Sequence, residues 1–138
     1  MAYRSRRRGL AVSAVAVGVL LAAHNSHGGL RATGMSAHGG TLSCSGLEAL
    51  WESAGGSRSA AFTAAEIAQA ESGGRQYATN TNGGRSTDRG YWQINSVHGA
   101  LSTYDAAGNA RAAVQISGNG TNWSPWVTWQ TGAYQGKC

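Results

Sequence analysis

The feature that most restricts how this chain can fold is its pair of cysteines, Cys44 and Cys138, the only two in the sequence. They bracket residues 44–138, the stretch that reads as folded. In an exported chain an even, terminal pair reads as a disulfide joining the two ends of a domain. Closing so long a loop contributes roughly 4 kcal/mol in the chain-entropy model. The chain's 138 residues suffice for one such domain.

What precedes the pair supports export. Arg4, Arg6, Arg7 and Arg8 come before an apolar run from Leu10 to Ala23. That run is too short and too rich in alanine and glycine for a membrane span, and it has the pattern of a secretory leader. The leader is expected over residues 1–37, with Ala32-Thr33-Gly34 and Ala37 as alternative cleavage points. Residues 38–43 then form a short linker. His24, His27 and His38 have no carboxylate or cysteine ligand spaced among them, so this tract reads as linker rather than metal site.

The formal net charge of +5 belongs to the leader. Of the 11 cations, Arg4, Arg6, Arg7, Arg8 and Arg31 lie before Cys44, leaving six against the chain's six acids. A neutral domain lacks the basic footprint that a phosphate backbone demands, which excludes nucleic acid as a partner.

Within the domain, Ser45-Gly46-Leu47-Glu48 has the pattern of a capping box, and Leu47, Leu50, Trp51 and Ala54 follow at helical spacing up to Gly55-Gly56. A second helix spans Ser59 to Ser72, with Ser59 and Thr63 as alternative caps. Thr63-Ala64-Ala65-Glu66 is itself a capping box, which gives Glu66 a structural role. Asn82-Gly83 marks a turn in a loop or short hairpin. Gly90-Tyr91-Trp92-Gln93-Ile94-Asn95 is a brief strand-like run. Asp105 or Asn109 caps a third helix, on which Ala110, Ala113, Val114 and Ser117 share a face. The fold class is α+β, mostly α, with a minor sheet.

Glu71 stands out chemically. Ala64, Ile67 and Ala68 precede it at helical spacing, so it shares their apolar stripe, whereas Glu66 points away. Burial disfavours the charged form of a carboxyl and raises its pKa, as a general acid at neutral pH requires. Other chemistries lack their parts. His98 is the domain's single histidine, no nucleophile elbow or phosphate-binding glycine motif occurs, and a zinc site has no ligand set. Nothing calls for a cofactor, a metal or an oligomer. Tyr91, Trp92, Gln93, Asn95, Trp123, Trp126 and Tyr134 combine aromatic faces with amides, the pairing that suits a sugar-binding groove. Trp51 and Trp126 are assigned to packing first.

Glu71-Ser72-Gly73-Gly74 followed by Gly90-Tyr91-Trp92-Gln93-Ile94-Asn95 resembles the soluble lytic transglycosylase domain of the lysozyme-like superfamily. Asn109-Ala110-Arg111-Ala112-Ala113 is similar to that family's next motif, and Gly132-Ala133-Tyr134 to its late Ala-Tyr-Asn segment. The resemblance covers residues 44–138 and implies a small lysozyme-like fold with a short β region beside the catalytic helix. It implies Glu71 as the catalytic acid/base, with Ser72, Tyr91, Trp92, Gln93, Asn95, Asn109 and Tyr134 at or supporting the groove. The implied substrate is peptidoglycan, cut at the β-1,4 bond between N-acetylmuramic acid and N-acetylglucosamine. Two departures stand: Tyr91 replaces a usual leucine, and Gln135-Gly136 follows Tyr134 where the family has Asn-Ala-Gly.

A two-carboxylate glycosidase needs a second acid about 5–9.5 Å away. Asp88 and Asp105 are the available seconds, but the flanking Arg85 and Arg89 suggest an ion pair for Asp88. The sequence therefore favours a single-acid scheme, with either a 1,6-anhydro or a hydrolysed product. The alternative readings are a non-catalytic peptidoglycan-binding module and a relative of the resuscitation-promoting factors, which also carry Glu-Ser-Gly-Gly.

Overall fold

The computed structural model describes residues 40–138. The leader expected over residues 1–37 lies outside the described residues, as do the first two positions of the linker. The domain runs α1 (Cys44–Ser53), a 3-10 turn (Arg58–Ala60), α2 (Ala61–Ser72), β1 (Thr79–Thr81), β2 (Thr87–Arg89), β3 (Ile94–Asn95), a second 3-10 segment (Ser96–Leu101), α3 (Ala106–Ile116) and α4 (Val127–Thr131). The strands form one antiparallel sheet in the order β1-β2-β3. This is a mostly helical α+β fold.

The helices form where apolar spacing places them. Leu47, Leu50 and Trp51 of α1 are buried against Ala64, Ala65, Ile67 and Ala68 of α2 and against Ala110, Ala112 and Ala113 of α3. Alanines leave room for close approach but little volume, so tryptophans fill the centre. Trp51 lies 6.3 Å from Trp92 and 5.4 Å from Trp123, which in turn lies 5.2 Å from Trp126, ring centre to ring centre. A buried indole N–H needs an acceptor. Trp51 donates to the Ser57 carbonyl, Trp92 to that of Ala64 and Trp126 to that of Trp92, each at 2.9 Å. Phe62 does not join this core. It is 53% exposed, and Ile67 alone gives α2 its large apolar anchor.

The caps of α1 and α2 differ from the sequence expectation, and that of α3 is one of the two expected. Ser43, not Ser45, caps α1 and accepts from the Gly46 amide at 3.3 Å. Neither Ser59 nor Thr63 caps α2, because the 3-10 turn runs straight into it and already satisfies the first amides. Glu66 therefore has no capping role. It is buried in α2 and accepts the Gly136 amide at 2.8 Å, tying down the end of the chain. Asp105 caps α3, accepting from the Gly108 amide at 2.7 Å, which leaves Asn109 inside the helix.

Cys44 and Cys138 form a disulfide across a Cα–Cα distance of 5.7 Å. The packed chain begins upstream of Cys44. Leu42 donates its amide to Gly74 and accepts Gln69 Nε2 on its carbonyl, so residues 40–43 are tied to the domain rather than free as a linker.

Candidate active site

Glu71 occupies the last turn of α2, which ends at Gly73 in the left-handed region (φ 62°). A glycine there lets the chain leave the helix without steric cost, and the acid is left at the helix end above the sheet. Its Oε1 accepts a 2.7 Å hydrogen bond from the Thr128 hydroxyl on α4. Burial pushes the Glu71 carboxyl above the ordinary carboxylate range. The hydrogen bonds from Thr128 draw it partly back, and the charge of Asp88 adds a smaller push upward.

The acid opens onto a cleft with a volume of about 290 Å³. One wall is the sheet and its turn, contributing Asn82, Asp88, Gln93, Ile94 and Asn95. The other is Ile116 of α3 and the approach to α4, with Pro125, Trp126 and Val127; His98 stands at the rim. Carbonyl, amide and carboxylate groups thus face an apolar ledge, a surface suited to a ring with one polar edge and one apolar face.

Asp88 is not in the ion pair that its arginine neighbours suggest. Its Oδ2 accepts from Asn80 Nδ2 (3.2 Å) and Asn82 Nδ2 (2.9 Å), and its Oδ1 from Asn95 Nδ2 (2.6 Å). Arg89 instead donates to the Ser102 hydroxyl and lies over the Tyr104 ring. The other acid considered as a second carboxylate, Asp105, is spent on the α3 cap and sits 4.0 Å from Arg111.

Of the groove residues expected from sequence, the structure brings Glu71, Gln93, Asn95 and Trp126 to the cleft, while Trp123 is buried in the core. Gln93 holds a positive φ of 46°, rare outside glycine. Its Nε2 donates to the carbonyls of Ala78 and Gly90, leaving Oε1 as the free acceptor. Asn95 clamps Asp88 and caps the following 3-10 segment through the Val97 amide.

Ser72, Tyr91, Trp92 and Asn109 do not reach the cleft surface. Ser72 is buried and turns its hydroxyl back to the Ala68 carbonyl. Tyr91 is buried with its hydroxyl on Gly40, and Trp92 is wholly enclosed. These aromatics are drawn inward because the core has few large aliphatic residues to fill it. Asn109 is the buried strut beneath the site. Its Oδ1 accepts the Trp92 amide, while its Nδ2 donates to the carbonyls of Arg89 and Thr103. Gly90 (φ 79°) lies so close that a Cβ there would meet the Asn109 amide at 2.5 Å. Tyr134 stacks on Trp129 at 4.7 Å, away from the cleft.

Sequence reading missed Thr128, which has no motif and lies far along the chain from the acid it contacts. It also misread Asp88, although the clustering of Asn80, Asn82 and Asn95 around that position was visible. Among the described residues no group of three or more His, Cys, Asp or Glu is placed to hold a metal.

The family model described as a lysozyme-like domain matches residues 48–128, which include Glu71, every cleft-lining residue and Thr128. No curated protein matches the chain.

Proposed function

Because the chain belongs to the lysozyme-like domain family, whose activity is in general the lysis of peptidoglycan, we propose that it is an exported glycosidase with Glu71 as its general acid. The bond cut is the β-1,4 linkage between N-acetylmuramic acid and N-acetylglucosamine. The observation that carries this reading is the state of Glu71: half-buried, open to the cleft on one side, and held above the ordinary carboxylate range by burial. A carboxyl whose proton is held more tightly than usual is suited to deliver it to a leaving oxygen.

In this scheme the glycan strand lies along the cleft, its rings against Trp126 and Val127 and its polar groups against Gln93 and Asn95. Thr128 holds Oε1, so Oε2 faces the glycosidic oxygen. Protonation there releases the N-acetylglucosamine hydroxyl as the C1–O bond breaks, and positive charge develops at C1 of the muramic acid ring. The oxocarbenium-like centre is then captured by the sugar's own 6-hydroxyl or by water.

Export is part of the proposal. It is supported by the arginine-then-apolar leader pattern and by the Cys44–Cys138 disulfide, which persists in oxidising compartments.

The test is Glu71→Gln, which keeps shape and removes the proton. Clearing of purified peptidoglycan should fall roughly 10²–10⁴-fold, the usual contribution of general acid catalysis, with the thermal midpoint retained. A variant that clears at the wild-type rate would rule out this role. Wild-type protein that sediments with peptidoglycan but releases no soluble fragments would identify a binding module instead.

A further inference from the structure

The five tryptophans divide by what their indole N–H groups do. Those of Trp51, Trp92 and Trp126 are spent on backbone carbonyls. Those of Trp123 and Trp129 have no acceptor among the described residues. Trp123 is only 4% exposed, yet no enclosed side-chain nitrogen or oxygen among the described residues lacks a partner. Its N–H therefore emerges at solvent, as a donor open to a ligand on an otherwise buried ring. Both indoles line one groove, separate from the catalytic cleft, with a volume of about 390 Å³. It lies between the 3-10 turn Arg58–Ala60, Thr63 of α2 and the loop that joins α3 to α4. Residues 123–129 are a shared wall. Trp123, Ser124 and Trp129 line the groove, whereas Pro125, Trp126 and Val127 line the cleft.

The groove is held in shape before any ligand arrives. Asn119 has a φ of 59°, and among the described residues only Gln93 of the cleft shares a positive φ without being glycine. Asn119 Oδ1 accepts the Ser57 amide at 2.7 Å, and Asn122 Oδ1 accepts the Ser124 amide at 3.0 Å. With each amide oxygen anchored on backbone, each planar NH2 is left without a partner among the described residues. Trp129 stacks on Tyr134 at 4.7 Å, so the indole loses little freedom when a ligand covers it. None of the lining side chains is charged. The result is a neutral surface rich in donors, with the hydroxyls of Ser59 and Thr63 beside them. A phosphate or carboxylate would meet no cation there. A sugar fits better, since acetamido carbonyls and hydroxyls accept from such donors and the C–H face of a pyranose lies on an indole.

We propose that this groove is a second, non-catalytic binding site for the uncharged N-acetylhexosamine backbone of a glycan, holding a stretch of polymer other than the one being cut. That the polymer is peptidoglycan rests on the function proposed above, whereas the preference for sugar rests on the groove itself. Two sites on one domain make the second contact intramolecular. The domain then stays on an insoluble polymer longer than the cleft alone would hold it.

The test uses the full chain carrying Glu71→Gln to stop turnover, with the tetramer of N-acetylglucosamine as soluble probe and purified peptidoglycan as polymer. Asn122→Asp keeps the oxygen that accepts the Ser124 amide and replaces the donor by an acceptor. Trp129→Ala removes the platform. On NMR titration with the tetramer, the indole N–H signals of Trp123 and Trp129 should shift, and Asn122→Asp should abolish those shifts. In sedimentation each variant should bind peptidoglycan roughly tenfold more weakly. With Glu71 restored, each should cut a soluble glycan tetrasaccharide at the parent kcat/KM while clearing insoluble peptidoglycan more slowly. Trp123 and Trp129 signals that stay in place overturn the proposal, as does an Asn122→Asp variant that titrates and sediments like its parent. A kcat/KM on the tetrasaccharide that falls in step with clearing also overturns it, because the effect then lies in the cleft. Should Trp129→Ala fail to fold, Asn122→Asp decides alone. Wild type that cuts nothing while both indole signals shift removes the Glu71 reading and leaves the groove; wild type that cuts while they stay still removes the groove alone.

Discussion

At Glu71, burial raises the carboxyl pKa while the hydrogen bonds from Thr128 lower it, and the balance sets the pH range over which the acid keeps its proton. Thr128→Val keeps the shape and deletes the hydroxyl donor. Glu71 should then hold its proton more tightly, so the alkaline limb of the pH–kcat/KM profile should move to higher pH, and Thr128→Ser should move it back. A profile that does not shift would show that the hydroxyl does not act on the acid. The same residue links pH to stability. Because its folded pKa lies above 4.5, the folded protein retains a proton between 4.5 and that value which the unfolded chain has released. Stability from this group is full below pH 4.5 and declines as pH rises through the window. Glu71→Gln should flatten this part of a Tm–pH curve. An unchanged slope would contradict the burial argument.

At the scale of elements, Asn109 joins α3 to the β region and holds the floor of the cleft. Asn109→Ala strands the buried Trp92 amide and removes the donor from the half-buried carbonyls of Arg89 and Thr103. A stranded buried group costs about 1–3 kcal/mol, so denaturant titration should show a loss of at least about 1 kcal/mol, with activity falling as Gln93 loses its support. A loss under about 1 kcal/mol would mean that water replaces the strut. Helix positions were legible beforehand because the stripes of α1 and α3 repeat at helical period, and Asn82-Gly83 announced the β1–β2 turn. Asp105 was one of two caps offered for α3, but the α1 cap was not legible, since Ser43 and Ser45 are equivalent by local pattern and only the tertiary path selects between them. Nor was the burial of Glu66, whose partner Gly136 lies at the far end of the domain. The cleft was half legible. Motif spacing placed Glu71, Gln93 and Asn95 together, but alternation cannot tell which aromatics of a short run turn inward. That is decided by the volume left empty among alanines, which Tyr91 and Trp92 fill.

For the molecule as a whole, the Cys44–Cys138 bond limits how far the unfolded chain can expand. Reduction, or the double change Cys44→Ser with Cys138→Ser, should cost roughly 4 kcal/mol in the chain-entropy model, read as a lower thermal midpoint. An unchanged midpoint would mean that Glu66 and the tail contacts hold that end without it. The bond has another consequence. Residues 44–138 form a covalent ring, and a ring cut once remains one molecule. A protease that cleaves the exposed Gly83-Gly84 turn opens the loop but releases no fragment, so both carboxylates of the cleft stay tethered to the same domain. Such a ring survives an injury that would divide a linear domain in two, which suits the export proposed above.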